Sequence, residues 1–520
     1  MHFGSRTSCL IALWSIGASL SSFAQQYQHI HAYRRADLPG SKFGWCMSSV
    51  DEHLAVGLPH ALGQRGVASV YTSPDLAWSV VEGDTLGERY PSPPLDQRFA
   101  ANLAMGPGPM LAVGSCSAYG TDQYCNTLAQ WVSVYVPGSE GWEHAQTIAA
   151  PEEAEGTFGK ALVVTAEEIF VGGSRLTANG FDQDVVLIYE RNGDFVTPVP
   201  VDTLVGIGIT AEANAGFGHA LSLHDDLLMV GASGDDELGT DCGAVYLFGR
   251  DQGGANAWGL IRKIIPSNGA AGDRFGAAVA VEGDHGVVGA PGHRINGSTT
   301  GAVYFFNADQ GSPGNWGEVA DFTPIEPVAN MQYGASVALS EDRAAVGAPL
   351  HAISPNGTDG SVEVFTYSNG AWSFNQRIIP WYDGHVSQVS RSGTALLFTQ
   401  ERLLIGAPFA IVDGTTASPT GAVLVYGDPA SGLGETITER GLVIAPDPIS
   451  DQAVLRSSLL DGPVVVEIVD VTGRVCRSER ITAHGTWLFS RADLKAGSYT
   501  MLLRHATSTS LLGATRFIVE

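Results

Sequence analysis

Apolar positions along the chain come in short runs separated by glycine-rich polar turns. Ala278-Val279-Ala280-Val281 is compact and β-branched, Glu282-Gly283-Asp284 is turn chemistry, and Val287-Val288 opens a second run. Gly301 to Phe306 is aromatic and β-branched, and the run Trp258 to Ile265 is stopped by Pro266. The pattern predicts four short strands in succession.

The same order of elements returns along the chain, so an internal repeat is the first architecture to test. Aromatic-Gly starts stand at Phe43-Gly44, Phe158-Gly159, Phe217-Gly218, Phe275-Gly276 and Tyr333-Gly334, with Phe99-Ala100 as a softened copy. A Gly-Ala-Pro element follows at Gly289, Gly347 and Gly406, and as variants at Gly57-Leu58-Pro59, Gly114-Ser115, Gly172-Gly173 and Gly231-Ala232-Ser233. Start and glycine lie 14 residues apart in five copies and 15 in the second. The residue 14 before Gly406 is Ser392, followed by Gly393, a seventh start without its aromatic. Starts at 43, 99, 158, 217, 275, 333 and 392 are spaced by 56, 59, 59, 58, 58 and 59 residues. Seven units in step predict an all-β fold, a seven-bladed β-propeller over residues 25–427. The small residues suit crowded inner strands, and the opening aromatic suits the seam between blades. The seventh unit lacks a fourth strand, and Tyr27 to Tyr33 precede the first unit where such a strand would lie. The N-terminal strand is therefore expected to complete the last blade and remove the open edges.

These elements resemble FG-GAP repeats, the blades of the integrin-α-type propeller, over roughly Gln26 to Gly427. Many such blades carry an Asp-rich calcium loop in the hairpin before the Gly-Ala-Pro strand. Calcium needs several closely spaced oxygens. The hairpins here, such as Val50-Asp51-Glu52-His53 and Glu282-Gly283-Asp284-His285, are too short to supply them. The expectation is no metal and no cofactor.

Residues 428–441 are rich in Gly, Pro, Ser and Glu and read as a linker. Residues 442–520 hold 8 acidic and 8 basic residues and several alternating runs, which predict a small C-terminal antiparallel β-sandwich. Three patterns here, Pro446-Asp447-Pro448, Asp470-Val471-Thr472-Gly473-Arg474-Val475 and Leu494-Lys495-Ala496-Gly497-Ser498-Tyr499, resemble the type A C-terminal sorting domain of the type IX secretion system of Bacteroidota. Asp447 departs from the usual Asn between the prolines. The resemblance implies the type IX machinery as a partner, with Pro446, Pro448, Asp470, Gly473, Arg474, Gly497 and Tyr499 as the motif residues. It also implies removal of this domain on export.

The N-terminus supports export. Arg6, the apolar run Leu10 to Leu20 and Ser22-Phe23-Ala24 have the form of a signal peptide over residues 1–24. No later stretch approaches 18 apolar residues, so no transmembrane segment is expected in the mature chain. The implied location is secreted or cell-surface. Cys116 and Cys125 bound one polar loop and form either a local disulfide or two free thiols.

Lys and Arg total 28 against 54 Asp and Glu, a net charge of −26. That disfavours nucleic acid and anionic membranes as partners. The loop Gly234 to Asp241 holds four carboxylates, Asp235, Asp236, Glu237 and Asp241. It is either a binding or cation site or, more commonly for such a run, a solvated acidic turn. No G-x-S-x-G, H-E-x-x-H or P-loop pattern is present. The function expected is a non-catalytic protein- or glycan-binding module acting through loops on a rigid scaffold. The alternative is a secreted hydrolase or lyase with its site at the propeller mouth.

Overall fold

The computed structural model describes residues 28–33, 38, 40–61, 66–72, 84–86, 99–114, 131–139, 141–151, 158–176, 182–208, 215–353, 357–379, 390–399, 402–411, 420–427, 443–445, 452–470, 475–491, 494–495, 497–505 and 511–519. They fall into two compact units, one holding Tyr33–Val423 and the other Leu424–Glu520 with Gln28–Ala32.

Seven antiparallel sheets follow one another along the propeller sequence, here called blades I to VII. Blade IV shows the plan: Phe217–His224, Leu227–Ala232, Ala244–Gly254 and Ala257–Ile264 pair in chain order. The first strands of consecutive blades touch in an unbroken cycle, and the cycle returns from Ala395–Thr399 of blade VII to Met47–Val50 of blade I. The seventh sheet runs Ala395–Thr399, Arg402–Ala407, Ala422–Gly427 and then Gln28–Tyr33. Two further blades depart from the plan. The outer edge of blade III is split into Phe195–Val196 and Asp202–Leu204, both paired with Asp182–Asn192. Blade V adds a hairpin, Arg294–Ile295 with Ser298–Thr299, whose turn residues Asn296 and Gly297 have φ of 50° and 83°. Asn-Gly favours such a left-handed two-residue turn.

The two repeated glycines act at one seam. The second residue of each start is left-handed: Gly44, Gly159, Gly218, Gly276, Gly334 and Gly393 have φ between 79° and 87°. Its N–H donates within its own blade to the second-strand glycine, as in Gly276 to the Gly289 carbonyl at 3.0 Å and Gly334 to Gly347 at 2.9 Å. Its carbonyl faces the preceding blade. A Cβ on Gly57, Gly114, Gly172, Gly231, Gly289 or Gly347 would come within 2.5 Å of the carbonyl oxygen of residue 100, 159, 218, 276, 334 or 393. Gly406 of blade VII meets the carbonyl of Gly44 in blade I in the same way, so the seam pattern goes full circle. The blades approach too closely here for any side chain.

The opening aromatics Phe43, Phe99, Phe158, Phe217, Phe275 and Tyr333 have no solvent exposure. Five stand edge-on to a third-strand tyrosine, with ring centroids 6.2 Å apart for Phe43–Tyr71, 6.3 Å for Phe99–Tyr135, 6.4 Å for Phe158–Tyr189, 5.3 Å for Phe217–Tyr246 and 5.2 Å for Phe275–Tyr304. Edge-to-face rings are the favoured aromatic geometry. These residues occupy equivalent places around the cycle.

In the C-terminal unit the described strands form one antiparallel set around the long strand Gln452–Asp470. Val443–Ala445 and Gly497–His505 pair with separate stretches of it, and Val475–Ser490 follows it through a register break between Arg456 and Asp461. Val464, Val466, Ile468, Phe489 and Met501 are buried in this unit.

Candidate functional site

The loops after the second strands are tied to the segments that precede the opening residues. A backbone N–H three residues past the second-strand glycine donates to a carbonyl 19 residues earlier: His60 to Ser41, Gly234 to Ala215, Gly292 to Asp273, Leu350 to Met331 and Phe409 to Ser390, at 2.8 to 3.3 Å. Loops and strand starts therefore share one rim of the propeller.

The acidic loop of blade IV lies on this rim, and three of its four carboxylates, those of Asp235, Asp236 and Glu237, are engaged internally. Asp235 is buried and accepts from the Tyr246 hydroxyl at 2.9 Å and from the Lys263 ammonium at 2.8 and 2.9 Å. Glu237 takes a second bond from Lys263 at 2.7 Å, and Asp236 accepts the backbone N–H of Asp241 at 2.7 Å. A buried carboxylate with two donors is a structural brace. Blades V and VI brace the same rim with other pairs: His293 with Asp273 at 3.0 Å, and Glu363 with Tyr333 and Arg377 at 2.9 Å each. Among the described residues no group of three or more His, Cys, Asp or Glu side chains is arranged to hold a metal.

A different cluster on the rim went unnoticed in the sequence. At the junction of blades VII and I, the Lys42 ammonium lies 3.5 Å from the centroid of the Phe409 ring, and the Arg391 guanidinium lies 4.3 Å from it. The Trp45 ring stands 6.4 Å from Phe409 and 6.1 Å from His60. All five side chains are partly exposed. The pKa of Lys42 is lowered to about 8, first by burial and then by the charge of Arg391. Among the described residues no carboxylate pairs with Lys42.

The backbone of this cluster is held on every side. Phe43 N–H donates to the Thr420 carbonyl at 3.0 Å, as does the Ser41 hydroxyl, and Arg391 N–H donates to Thr358 at 3.0 Å. Lys42 and Arg391 each directly precede an opening residue, and both are left-handed, with φ of 62° and 50°. Arg274 and Gln332 share that position and conformation at 59° and 55°, while blade IV places Gly216 there at 65°. The left-handed region costs a side-chain-bearing residue about 1–2 kcal/mol. The sequence signal that could have found the cluster is this position: Lys or Arg stands there at 42, 98, 274 and 391.

On the inner strands of blades III and IV, the Lys160 ammonium donates to His219 Nε2 at 3.1 Å. Burial first, and then the Lys160 charge, push the His219 pKa down to about 3, so its ring is neutral.

Of the sorting-motif residues, Asp470 pairs in register with Tyr499, whose hydroxyl donates to the Lys495 carbonyl at 3.0 Å, and Gly497 pairs with Val519. Pro446, Pro448, Gly473 and Arg474 lie outside the described residues, as do Cys116 and Cys125. Cys46 and Cys242 are free thiols. Burial raises the Cys46 thiol to about 12, against the opposing hydrogen bond from Gly57, so it is not a nucleophile at neutral pH.

No curated protein matches the chain. Residues 210–248, 258–306 and 316–365 match the family model described as the FG-GAP repeat. The second match begins in the outer strand of one blade and the third just before such a strand, and both end in the third strand of the next blade, so they straddle the glycine seam. The seven-bladed β-propeller of this chain carries FG-GAP repeats.

Proposed function

We propose that the chain is an exported, non-catalytic binding module that presents its loop rim to a protein or glycan outside the cell. The observation that carries the reading is the rim itself. Repeated 2.8–3.3 Å backbone bonds anchor its loops to a closed cycle of sheets, and rigid scaffolds with surface loops are suited to recognition. Binding to such a site loses little conformational entropy. The acidic loop of blade IV braces the scaffold in this reading and does not contact ligand.

Export is proposed to use a signal peptide over residues 1–24 and then the type IX machinery, addressed by residues 442–520. Two experiments test the proposal. Immobilised on glycan and protein arrays, the secreted chain should capture a discrete ligand, and turnover of a polysaccharide panel by the same preparation would refute the non-catalytic reading. Deleting residues 442–520 should leave the propeller in the periplasm. Normal arrival of the truncated chain at the surface would refute the sorting assignment.

A further inference from the structure

We propose that the enlarged outer edge of blade III, Phe195 to Ile207, is an interface through which two copies of this chain pair about a two-fold axis. Such pairing goes beyond the binding assigned to the loop rim and does not depend on it.

Three observations converge. First, blade III enlarges a feature that other blades keep small. In blade IV, Leu247 pairs with Arg262 and Phe248 with Leu260, which leaves Ile261 over. Ala145, Val319 and Asn375 are left over in the same way in blades II, V and VI. In blade III, Ile188 pairs with Asp202 but Arg191 with Val196, so three outer-strand residues are extra. The break falls at the equivalent place, since Ile188 and Leu247 each pair with the residue two before the second-strand glycine. The added chain lies within Thr197-Pro198-Val199-Pro200-Val201. Bulges re-aim side chains, and this one leaves apolar ones outside. Among the described residues twelve large apolar side chains are exposed, and five of them fall in this segment. They are Phe195 at 71%, Val199 at 66%, Val201 at 55%, Val205 at 37% and Ile207 at 67%. Scattered exposed apolar residues are ordinary, whereas a contiguous group marks a contact surface.

Second, the segment is held firmly at its roots. The side-chain amide of Gln146 in blade II donates to the Val196 carbonyl at 2.7 Å, and its oxygen accepts the Val196 N–H at 3.1 Å. Thr197 N–H donates to the Glu190 carbonyl at 2.9 Å and Val201 N–H to the Ile188 carbonyl at 2.7 Å. The Tyr246 hydroxyl of blade IV donates to the Ile207 carbonyl at 3.0 Å. Between these anchors Pro198 and Pro200 restrict the backbone and offer no N–H, so a further strand gains little by pairing there. What the edge presents is a stiff set of side chains, and docking on it loses little conformational entropy.

Third, charge and area select the occupant. Residues 195–207 contain one charged side chain, Asp202, whose carboxylate accepts the Thr203 N–H at 2.7 Å. The chain as a whole carries −26, so two copies meet least repulsion where charge is nearly absent. A cationic partner, drawn to the acidic surface elsewhere, finds almost nothing to pair with at this edge. Five such side chains make a patch on the order of 300–600 Å², the size of the largest apolar patch on a typical monomer. Apposed on its own copy, it would bury roughly 1,000 Å² in total, enough for a weak and reversible dimer. A two-fold axis is the commonest symmetry of oligomers, and it lets a single patch cover itself and close.

The test is sedimentation equilibrium of the full chain from about 1 to about 200 µM, a range that spans weak self-association. The average mass should rise from that of a monomer toward that of a dimer and no further. Added salt should strengthen the association, because it screens repulsion between two acidic chains. The double substitution Val199→Ser with Val201→Ser, and Phe195→Ser separately, should each raise the dissociation constant at least tenfold. All three residues are exposed, so the melting temperature of these variants should stay with the parent. Ile261→Ser and Val319→Ser, exposed at the single-residue bulges of blades IV and V, are the controls and should leave association unchanged. A chain that stays monomeric across the range overturns the proposal. So does a dimer that survives both blade III variants, or one that the controls weaken equally. Growth beyond the dimer would also overturn it, since a two-fold contact closes. A monomer whose array ligand is lost in the blade III variants would replace the second copy with a different partner. A monomer that captures its ligand through all of these variants would sink the dimer and leave the rim reading standing.

Discussion

Gly406 lies where blade VII meets blade I, and the closure of the ring can be read from what happens when it gains a methyl group. A Cβ at Gly406 would sit within 2.5 Å of the Gly44 carbonyl oxygen and 3.2 Å from the Ala395 Cβ. Ordinary contact begins near 3.4 Å, so the two backbones would have to part by about an ångström along a close-packed seam. Overpacking of that kind costs roughly 1–3 kcal/mol. Gly289→Ala makes the same demand on the Gly334 carbonyl at an internal seam, and should cost the same. Gly283→Ala is the control. It is left-handed at φ 55° with nothing within 4 Å of the new methyl, so only backbone strain of about 1 kcal/mol applies. In a unit of this size each kcal/mol shifts the melting temperature by roughly 1–2 °C, so the seam variants should fall by about 1–6 °C and the control by about 1–2 °C. Differential scanning calorimetry of the three full-length variants reads the comparison. If Gly406→Ala melted with the control while Gly289→Ala fell, blades VII and I would not be joined, and the cyclic account would be wrong.

Ala100 is the one described start whose second residue is not glycine, at φ 61°, so Ala100→Gly should gain about 0.5–1 kcal/mol, visible as a small rise in melting temperature. Arg191 donates to the carbonyls of Gly193, Pro107, Thr165 and Gly108 at 2.7–2.9 Å and so ties blade II to blade III. Arg191→Met should cost about 2–4 kcal/mol in urea unfolding, because it strands those carbonyls. The neutral His219 sets a pH dependence. Its folded pKa of about 3 lies below the unfolded value of 6.5, so the unfolded state binds the proton more readily as pH falls. Stability should be constant above about pH 6.5 and fall by about 1.4 kcal/mol per unit between there and about pH 3. His219→Gln should flatten that slope in unfolding measured from pH 7 to pH 4, and an unchanged slope would refute the assignment.

The architecture was legible because its strictest demands are local. A left-handed residue and a strand glycine with no room for a Cβ must both be glycine or nearly so, and they recur at a fixed spacing. The counting of starts therefore reached the observed blades, including the one at Ser392. What escaped the sequence depends on partners far away along the chain. The split outer edge of blade III, Phe195–Val196 and Asp202–Leu204, breaks the four-strand plan without a motif. Asp235 looked like one of four solvated acids, yet its task is set by Lys263, 28 residues on, and by Tyr246. The Lys42–Trp45–His60–Arg391–Phe409 cluster joins residues from both ends of the propeller sequence, which only the cycle of blades brings together.

Blade VII shows which part of the repeat carries the geometry. Its start has Ser392 where the other blades have an aromatic ring, and Ser392 is fully buried. Its hydroxyl lies 3.0 Å from that of Ser390, and its N–H donates to the Asp359 carbonyl at 3.1 Å, as Phe275 N–H does to Cys242 and Tyr333 N–H does to Thr300. Gly393 keeps φ at 85°, and its N–H reaches Gly406 at 3.0 Å. The backbone seam is thus complete without the ring, and the aromatic adds packing to a geometry that the glycines already define. Losing that ring at blade VII leaves the seam intact, while Phe409 of the same blade stands partly exposed on the rim with Lys42 and Arg391 against it. Blade VII, whose start lacks the aromatic ring, is the one that, with blade I, presents Lys42 and Arg391 on its rim.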